Sequence, residues 1–512
     1  MSLLAIDIGS SRCKGVLFSS SGETLAQCTH SYAPEFPQPS FAEMKPDAFL
    51  DAVTVVSRSI CGSQREGTIE AVCLSSHGET LIPVGSAGAP LRSAILNIDT
   101  RASEEAAWCE QQIGRKHLFE LTGHTSHTMY PVPKLLWLRK HEPELFQAGT
   151  RFLGVISYIL LRLGLPPYID YSLASRFMAF DIRQKCWSDE ILSLLGMEKD
   201  SFPVPVLAGT IAGKLSHEAA RQLGLSAGAL MIVGGHDQAC GAVGVGVITS
   251  GKVFDSMGTY ESIAATSDEP QISEEALDYS LNTYCHVIPD KYITLAYFPA
   301  GIMIHWFSDL LRPPNADGLS SEAEEAYLSA LELLAPEQPS GLQVVPHLIG
   351  TCNPDFNPNA RGAILGLTAS SQRGDIYKGI LEGIACELSV MTDIFGKILG
   401  QFTDIYATGG GTRSLLGMRL RSSIAERRFH LMSCPESVCL GGAILASVAV
   451  GQYPTICEAV KQMVREEKVF EPDRDLTRAY LPIKKQYVEL NSLLSRFESR
   501  TATPANELGV NA

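Results

Sequence analysis

LMIVGGHDQACGAVGVGVITSGKVFDSMGTYES, residues 230–262, is the stretch from which the fold is read. Leu230 to Val233 is a short apolar run of the kind that forms a buried strand. Gly234 and Gly235 let the backbone turn, and Asp237 opens a segment, Ala239 to Val247, dense in Gly and Ala. A helix made of such residues can pack very close to a neighbour. Val253 to Met257 reads as a second strand, Gly258-Thr259 as a turn, and Tyr260 to Ala265 as a third strand. One carboxylate thus stands at a strand-to-helix corner, near a Gly-Thr turn. A corner of this kind can hold a general base at a fixed distance from a bound phosphate. Asp237 can equally serve as a helix cap, a position that Asp favours.

The bulk numbers narrow the class. A chain of 512 residues is too long for one core, so at least two domains are expected. With 45% hydrophobic and 19% charged residues the composition is that of an ordinary globular protein. A net charge of −15 argues against a nucleic-acid partner. It leaves room for an anionic ligand, because a nest of backbone N–H groups acts locally. The 13 cysteines include no CxxC pair, which suits free thiols in a reducing compartment better than a disulfide framework or a zinc site. MSLLAIDIGSS reaches Asp7 too early for a signal peptide, and no apolar run is long enough to cross a membrane. The expected location is the cytoplasm.

The chain opens as a β-meander. Leu3 to Ile8, Lys14 to Ser19 and Glu23 to His30 are its strands, and Gly9-Ser10-Ser11 lies in the first turn. The backbone N–H groups of that turn, the Ser10 and Ser11 hydroxyls and Lys14 all suit phosphate. Asp7 suits magnesium, which takes oxygen ligands and keeps most of its waters. Two polar clusters then fall at successive strand ends: Ser75-Ser76-His77-Gly78-Glu79-Thr80, and Asn97, Asp99 and Arg101 in ILNIDTR. They could bind a polyhydroxylated molecule. His77 could equally be a satisfied core histidine, and Asp99 an N-cap or an ion-pair partner of Arg101.

Between and beyond these clusters, a hairpin is expected with its turn at Gly85 to Gly88. Helices are expected at Lys45–Cys61, Pro133–His141 (with Trp137 in the core), Phe152–Leu163, Trp187–Leu195 and His217–Leu223. Tyr168 to Asp181 reads as a polar loop feeding an edge strand. In the second half, helices are expected at Ala300–Leu311, Ser320–Ala335, Asp375–Phe395, Leu415–Ala425 and Cys439–Val450, then further helices up to Ser499. Strands are expected at Gln343–His347, Phe402–Thr408 and Phe429–Met432. Residues from 501 have the composition of a disordered tail. AIDIGSS and FDSMGTY repeat one theme: strand, Gly-[Ser/Thr] turn, strand. The repeat suggests two similar α/β domains, residues 1–247 and 248–500, facing each other across a cleft.

Taken together, AIDIGSSRCKGVLF, SSHGETL, ILNIDTR, PKLLWLRKHEPELF, GGHDQACGAVGVGV, FDSMGTYES, PNARGAILGLT and ATGGGTRS resemble, in order, the motifs of the FGGY carbohydrate kinases, and xylulokinase-type members most. The resemblance spans about Leu3 to Val450. It implies two ribonuclease-H-like domains of the actin-like ATPase fold, with ATP and a small sugar or polyol in the cleft. By position it implies Asp237 as the base and Asp7 with Asp237 beside Mg2+. Ser10, Ser11, Lys14, Gly258 and Thr259 would lie at the phosphates, and Gly301, Gly410, Gly411 and Ser414 by the rest of the nucleotide. His77, Gly78, Glu79 and Asp99 would line the substrate side with Asp237.

The expected reaction is transfer of a phosphoryl group from ATP to a hydroxyl of a small sugar, a ketopentose such as xylulose first. Glycerol, erythritol or L-fuculose is the alternative within the same chemistry. A non-catalytic sugar sensor or an actin-like ATPase is the alternative of another class. A homodimer is compatible with either.

The chain departs from xylulokinases where they carry Gln-Met-His-Gly and Trp-Asn-Asp; here Ser75 to Gly78 and Asn97 to Asp99 stand. Glu79-Thr80 is similar to glycerol kinase, but Gly78 replaces that family's Arg. Gly235 to Asp237 with Glu261 is similar to fuculokinase.

Overall fold

The computed structural model of the protein describes residues 2–63, 69–311 and 321–501. Two sheets dominate it. The first has six strands in the order Thr24–Ser31, Arg12–Phe18, Ser2–Ile8, Ile69–Ser76, Leu230–His236 and Ile211–Lys214. The opening three strands form an antiparallel meander, and Ile69–Ser76 and Leu230–His236 add in parallel. The second sheet has seven strands: Asn282–Cys285, Tyr292–Pro299, Tyr260–Ser267, Lys252–Met257, Asp404–Thr408, Arg428–Met432 and Glu466–Phe470. There too a meander of three strands is followed by two parallel ones. Each lobe is therefore ribonuclease-H-like, and the repeat seen in AIDIGSS and FDSMGTY is a repeat of architecture. Every strand of the first sheet falls within residues 2–236 and every strand of the second within 252–470.

Each lobe buries its own apolar cluster, and a third cluster lies between them. Two helices make that third core. Asp237–Gly244 follows the last parallel strand of the first sheet, and Ser437–Ala449 follows the corresponding strand of the second. Ser437–Ala449 packs on the first sheet: a Cβ on Gly442 would stand 3.4 Å from Ala5 Cβ. The two helices also cross each other at glycines. A Cβ on Gly244 would lie 1.9 Å from the Ser437 carbonyl oxygen, and one on Gly441 1.9 Å from the Cys240 carbonyl oxygen. Small residues are required here because the backbones themselves touch. The density of Gly and Ala in Ala239–Val247 is thus a property of the lobe interface.

The long helix Arg373–Leu399 backs the second lobe. A capping box between Gln372 and Asp375 starts it, and Ile380, Ile384 and Leu388 are fully buried. It runs further at both ends than apolar spacing alone predicts, since Gln372 and Gly400 set its ends through capping rather than through hydrophobicity.

Some expectations are corrected. The expected turn at Gly85 to Gly88 forms, with Gly85 N–H donating to Ala89 O at 2.9 Å and Leu91 N–H to Pro83 O at 3.0 Å, but Ile82–Val84 also pairs with the distant strand Arg151–Leu153. That strand occupies the first residues of the segment expected to be wholly helical, and the helix is Val155–Arg162. Tyr168 to Asp181 contains a strand, Tyr168–Asp170, and a short helix, Tyr171–Ser175, started by the Asp170 carboxylate accepting from Ser172 N–H at 2.8 Å and Leu173 N–H at 3.1 Å. Trp137 is half-buried and stacks on His141, so it edges the core. The strand Glu466–Phe470 interrupts the expected closing helices. The last helix, Arg474–Thr501, takes in the first residue of the expected tail, and the rest of that tail lies outside the described residues. No helix among the described residues is long and apolar enough to cross a membrane. All thirteen cysteines are free.

Candidate active site

Asp237 stands at the crossing between the lobes, as the first residue of its helix. Its side chain keeps 25% exposure. It does not cap in the usual way: Oδ1 accepts the N–H of Gln238 at 2.6 Å and lies 3.3 Å from His236 Nε2. Burial raises its pKa, the charges of Asp7 and Glu79 raise it further, and Gln238 N–H and Arg176 lower it, leaving it at about 8. Asp7, on the first strand, is raised to about 6. Burial is the cause, opposed by a hydrogen bond from Ser75 Oγ at 3.1 Å and by Lys14. Two carboxylates that repel one another in a crevice fit a divalent cation, and magnesium needs only one or two protein oxygens when phosphates and water supply the rest. Among the described residues there is no cluster of three or more His, Cys, Asp and Glu that would hold a metal without such help.

The turn after the first strand has Ser10 half-buried and Ser11 at the exposed tip. Gly9 N–H to Arg12 O at 2.9 Å and Tyr32 OH to Gly9 O at 2.5 Å hold its shape. Lys14, expected at a phosphate, is paired across the lobes: its Nζ is 2.7 Å from both carboxylate oxygens of Glu436. The second turn, Gly258-Thr259, is exposed and carries the start of the helix Gly301–Leu310. Gly301 N–H donates to Gly258 O, and Ile302 N–H to Thr259 O, both at 3.2 Å. A Cβ on Gly301 would sit 2.4 Å from Gly258 O. Gly301 therefore acts on the turn by letting the helix start against it.

The third glycine loop, Gly409 to Arg413, packs beside the second turn: a Cβ on Gly411 would stand 2.9 Å from Met257 Cβ, while Gly410 faces open space. Ser414 differs from expectation. Its hydroxyl caps the helix Leu415–Ala425 by accepting Gly417 N–H at 2.9 Å, and it donates to Glu332 at 2.8 Å. Glu332 also takes Leu416 N–H at 2.7 Å, so a carboxylate already fills this helix N-terminus. Ser414 is a structural cap in this arrangement.

Glu79, expected on the substrate side, lies within electrostatic reach of Asp237. It has a left-handed backbone, φ 64°, and is buried. Its carboxylate is held by Arg176, and its own carbonyl oxygen accepts from Lys134 Nζ at 2.9 Å. The Lys134 ammonium also donates to Leu96 O at 2.8 Å and Met129 O at 2.7 Å, which ties three loops at one point. Burial lowers the Lys134 pKa to about 7, with Asp99 and Glu79 opposing. Three carbonyl acceptors are what an ammonium, with three N–H donors, satisfies. Gly78 leaves the space that Arg176 uses: a Cβ there would meet Arg176 Cβ and Cγ at 3.1 Å and His236 Cδ2 at 3.2 Å.

Two expected substrate residues are corrected. His77 is buried, with Nδ1 against Ile8 O at 2.9 Å and Nε2 against Thr80 Oγ1 at 2.7 Å, so neither ring nitrogen is left for a sugar. Asp99 is 1% exposed and spends its oxygens on Ala42 N–H at 2.6 Å and on Arg101, whose guanidinium stacks 3.6 Å from the Phe41 ring. Each is saturated by groups of the protein itself.

The residues that sequence reasoning did not single out are Arg176, Tyr130, Tyr284 and His236. Arg176 is 2% exposed, with its guanidinium 5.3 Å from the Tyr130 ring and 5.1 Å from the Tyr284 ring. Burial works against its charge, but Glu79 and the two tyrosines outweigh it and hold the proton more tightly than usual. A lone Arg in the otherwise apolar run LASRFMAF was the available signal. Asn97 Oδ1 and Gln238 Oε1 are buried without a protein partner.

The sequence profile "FGGY family of carbohydrate kinases, N-terminal domain" matches residues 2–244, and its C-terminal counterpart matches residues 256–450. The chain belongs to the FGGY family of carbohydrate kinases. Among relatives, it is 27% identical to a gluconokinase of Bacillus subtilis over 96% of each chain. It is 25% identical to a xylulose kinase of the same organism, over 93% of this chain and 94% of that one. The structure superposes on a ligand-bound xylulose kinase from Lactobacillus acidophilus with a TM-score of 0.87, covering 98% of this chain and 99% of that one at 24% identity. As an FGGY kinase, the chain acts on small sugars. The likeness to gluconokinase and to xylulose kinase is equally broad.

Proposed function

We propose that this FGGY kinase transfers the γ-phosphoryl group of ATP to a hydroxyl of a ketopentose such as xylulose, with Asp237 as the base. The observation that carries the reading is the position of Asp237. It is the carboxylate at the lobe crossing, within electrostatic reach of Asp7 on the phosphate side and of Glu79 and Arg176 on the substrate side. Asp237 takes the proton of the substrate hydroxyl as its oxygen attacks the γ-phosphorus. The bond to the ADP oxygen breaks, and its electron pair leaves with ADP. A positioned base contributes about 10²–10⁴-fold in rate. Mg2+, held by Asp7 and Asp237 with its waters, would supply the positive charge that both carboxylates and the phosphates need. The Gly258-Thr259 turn and the Ser10-Ser11 turn offer N–H and hydroxyl donors to the phosphate oxygens. Closure of the lobes on the sugar would exclude water and limit wasteful hydrolysis of ATP.

A second substrate reading is a sugar acid such as gluconate. It is favoured by the gluconokinase likeness and by the buried Arg176 guanidinium beside Glu79. Turnover of ATP with Mg2+ against ketopentoses, polyols and aldonates decides between them. Xylulose, or a related ketopentose, should give the highest kcat/KM. A highest value with gluconate would move the assignment to the acid. ADP release at the no-substrate background across the panel would remove the kinase reading.

A further inference from the structure

Beneath the Gly258-Thr259 turn lies a buried cluster of charge that the transfer of the phosphoryl group does not use. Glu261, on the strand leaving the turn, is 1% exposed, and Arg421, on the helix Leu415–Ala425, is 2% exposed. The guanidinium meets the carboxylate with two parallel bonds: Nε donates to Oε1 at 3.1 Å and Nη2 to Oε2 at 2.6 Å. Asp255, on the strand entering the turn, is fully buried, and neither of its carboxyl oxygens has a hydrogen-bond partner in the protein. In the hairpin register Asp255 lies opposite Ile263 and Met257 opposite Glu261, so the two acids share one face of the sheet. Burial and the Glu261 charge push the Asp255 carboxyl well above its ordinary range, with Arg421 opposing. The cluster is thus one anion, one cation and one neutral acid, and the guanidinium is left to Glu261.

The same guanidinium reaches toward the third glycine loop. A Cβ on Gly417 would stand 3.2 Å from Arg421 Nη1 and 2.9 Å from Ser414 Oγ, so the arginine runs back along its helix, over Gly417, toward the Ser414 cap. Ser414 follows directly on the turn of helix Gly410–Arg413. That loop also touches the hairpin at the backbone, since a Cβ on Gly409 would lie 2.5 Å from Met257 O. We propose that Arg421 and Glu261 are positioning residues that hold the Gly258-Thr259 turn and the glycine loop at 409–413 at one fixed separation, so that both engage the same nucleotide. A two-bond guanidinium–carboxylate pair fixes angle as well as distance, which a single bond does not. The inference rests on the reading that the ATP phosphates lie at the Gly258-Thr259 turn.

The test is steady-state kinetics, with ATP and the best sugar of the panel varied in turn, and thermal melts of Arg421→Met, Glu261→Ala and the double variant Arg421→Leu/Glu261→Leu. Arg421→Met leaves buried carboxyls without their cation and should lower the melting temperature most. Glu261→Ala should suffer less, because Asp255 can ionise beside Arg421. The double variant removes both charges and should regain most of the lost stability. Its KM for ATP should nevertheless stay raised by about 10-fold, the value of one or two displaced hydrogen bonds to phosphate, with KM for sugar within about threefold of the parent. Parental KM for ATP in the folded double variant overturns the positioning role, since the pair would then serve the fold alone. Should the double variant fail to fold, Glu261→Ala decides on the same terms: a raised KM for ATP is expected, and a parental one overturns the role. Thr259→Pro, which removes an N–H donor from the turn itself, keeps the failures apart. Parental KM for ATP in that variant overturns the placing of the phosphates at the turn instead.

Discussion

Lys14 Nζ lies 2.7 Å from both oxygens of Glu436, joining the first β-hairpin of one lobe to the start of the interface helix of the other. The side chains keep 29% and 22% exposure, so the pair sits at a wet edge of the cleft. Asp7 feels both of its charges, with Lys14 lowering its pKa and Glu436 raising it. A nucleotide phosphate arriving at the Ser10-Ser11 turn would compete with Glu436 for the ammonium. Lys14→Met should therefore raise KM for ATP by about 10–100-fold, the value of one or two charge-assisted hydrogen bonds, with KM for sugar little changed. Glu436→Gln should leave Lys14 free and lower KM for ATP. Steady-state kinetics with ATP varied at saturating sugar measures both.

Asp237→Asn should cut kcat by about 10²–10⁴-fold and leave sugar binding measurable by calorimetry. The same change should raise the melting temperature of the ligand-free protein. Burial and the Asp7 charge oppose ionisation of Asp237 in the folded state, and an amide removes that conflict. A thermal melt beside the activity assay reads both effects.

Protonation of buried histidines should take stability from the fold as pH falls, against the opposite contribution of the raised carboxyls of Asp7 and Asp237, which the folded state protonates more readily. His77, His124, His236 and His286 are buried, and burial lowers the pKa of each. For His286 the folded value is about 3, against about 6.5 unfolded. A depressed folded pKa means that the unfolded chain binds the proton more readily. The stability from this histidine is complete above pH 6.5 and is lost as pH falls toward 3. Down to pH 5 it amounts to roughly 2 kcal/mol. Urea unfolding midpoints at pH 7 and pH 5, measured for the parent and for His286→Gln, test the sign, because the difference between the two proteins isolates this histidine.

Gly441→Ala should destabilise the protein by about 1–3 kcal/mol through overpacking, since its Cβ would stand 1.9 Å from the Cys240 carbonyl oxygen. The strain falls on the helix that Asp237 begins, so activity should fall along with stability. Ala443→Gly, on the same helix, is the contrast. It removes a fully buried methyl group without a backbone clash, and its cost should come from packing and helix propensity alone.

Local features were legible in the residues themselves. The Asp237 corner, the two Gly-[Ser/Thr] turns and the helix Leu415–Ala425 were readable because apolar periodicity and turn residues act over a few positions. The strand Arg151–Leu153 was not, because its partner Ile82–Val84 lies far back in the chain and its apolar run continues into a helix. The substrate side was half legible. His77 and Asp99 are polar residues at strand ends, as a sugar site requires, but saturation by Ile8, Thr80, Ala42 and Arg101 is a property of packing. Ser414 misled for the same reason, since Glu332 reaches it from another helix.

The order of motifs along the chain determined two matched α/β lobes and an acid, Asp237, at a strand-to-helix corner, because strand, turn and helix signals are short-range. Which polar groups remain open to a ligand was decided only by tertiary structure. Arg176 reaches Glu79 through the space left by Gly78, and Tyr284 crosses from the second sheet to His236. A hydrogen bond between residues far apart in sequence leaves no periodic trace, and it is such bonds that set the direction in which a side chain points.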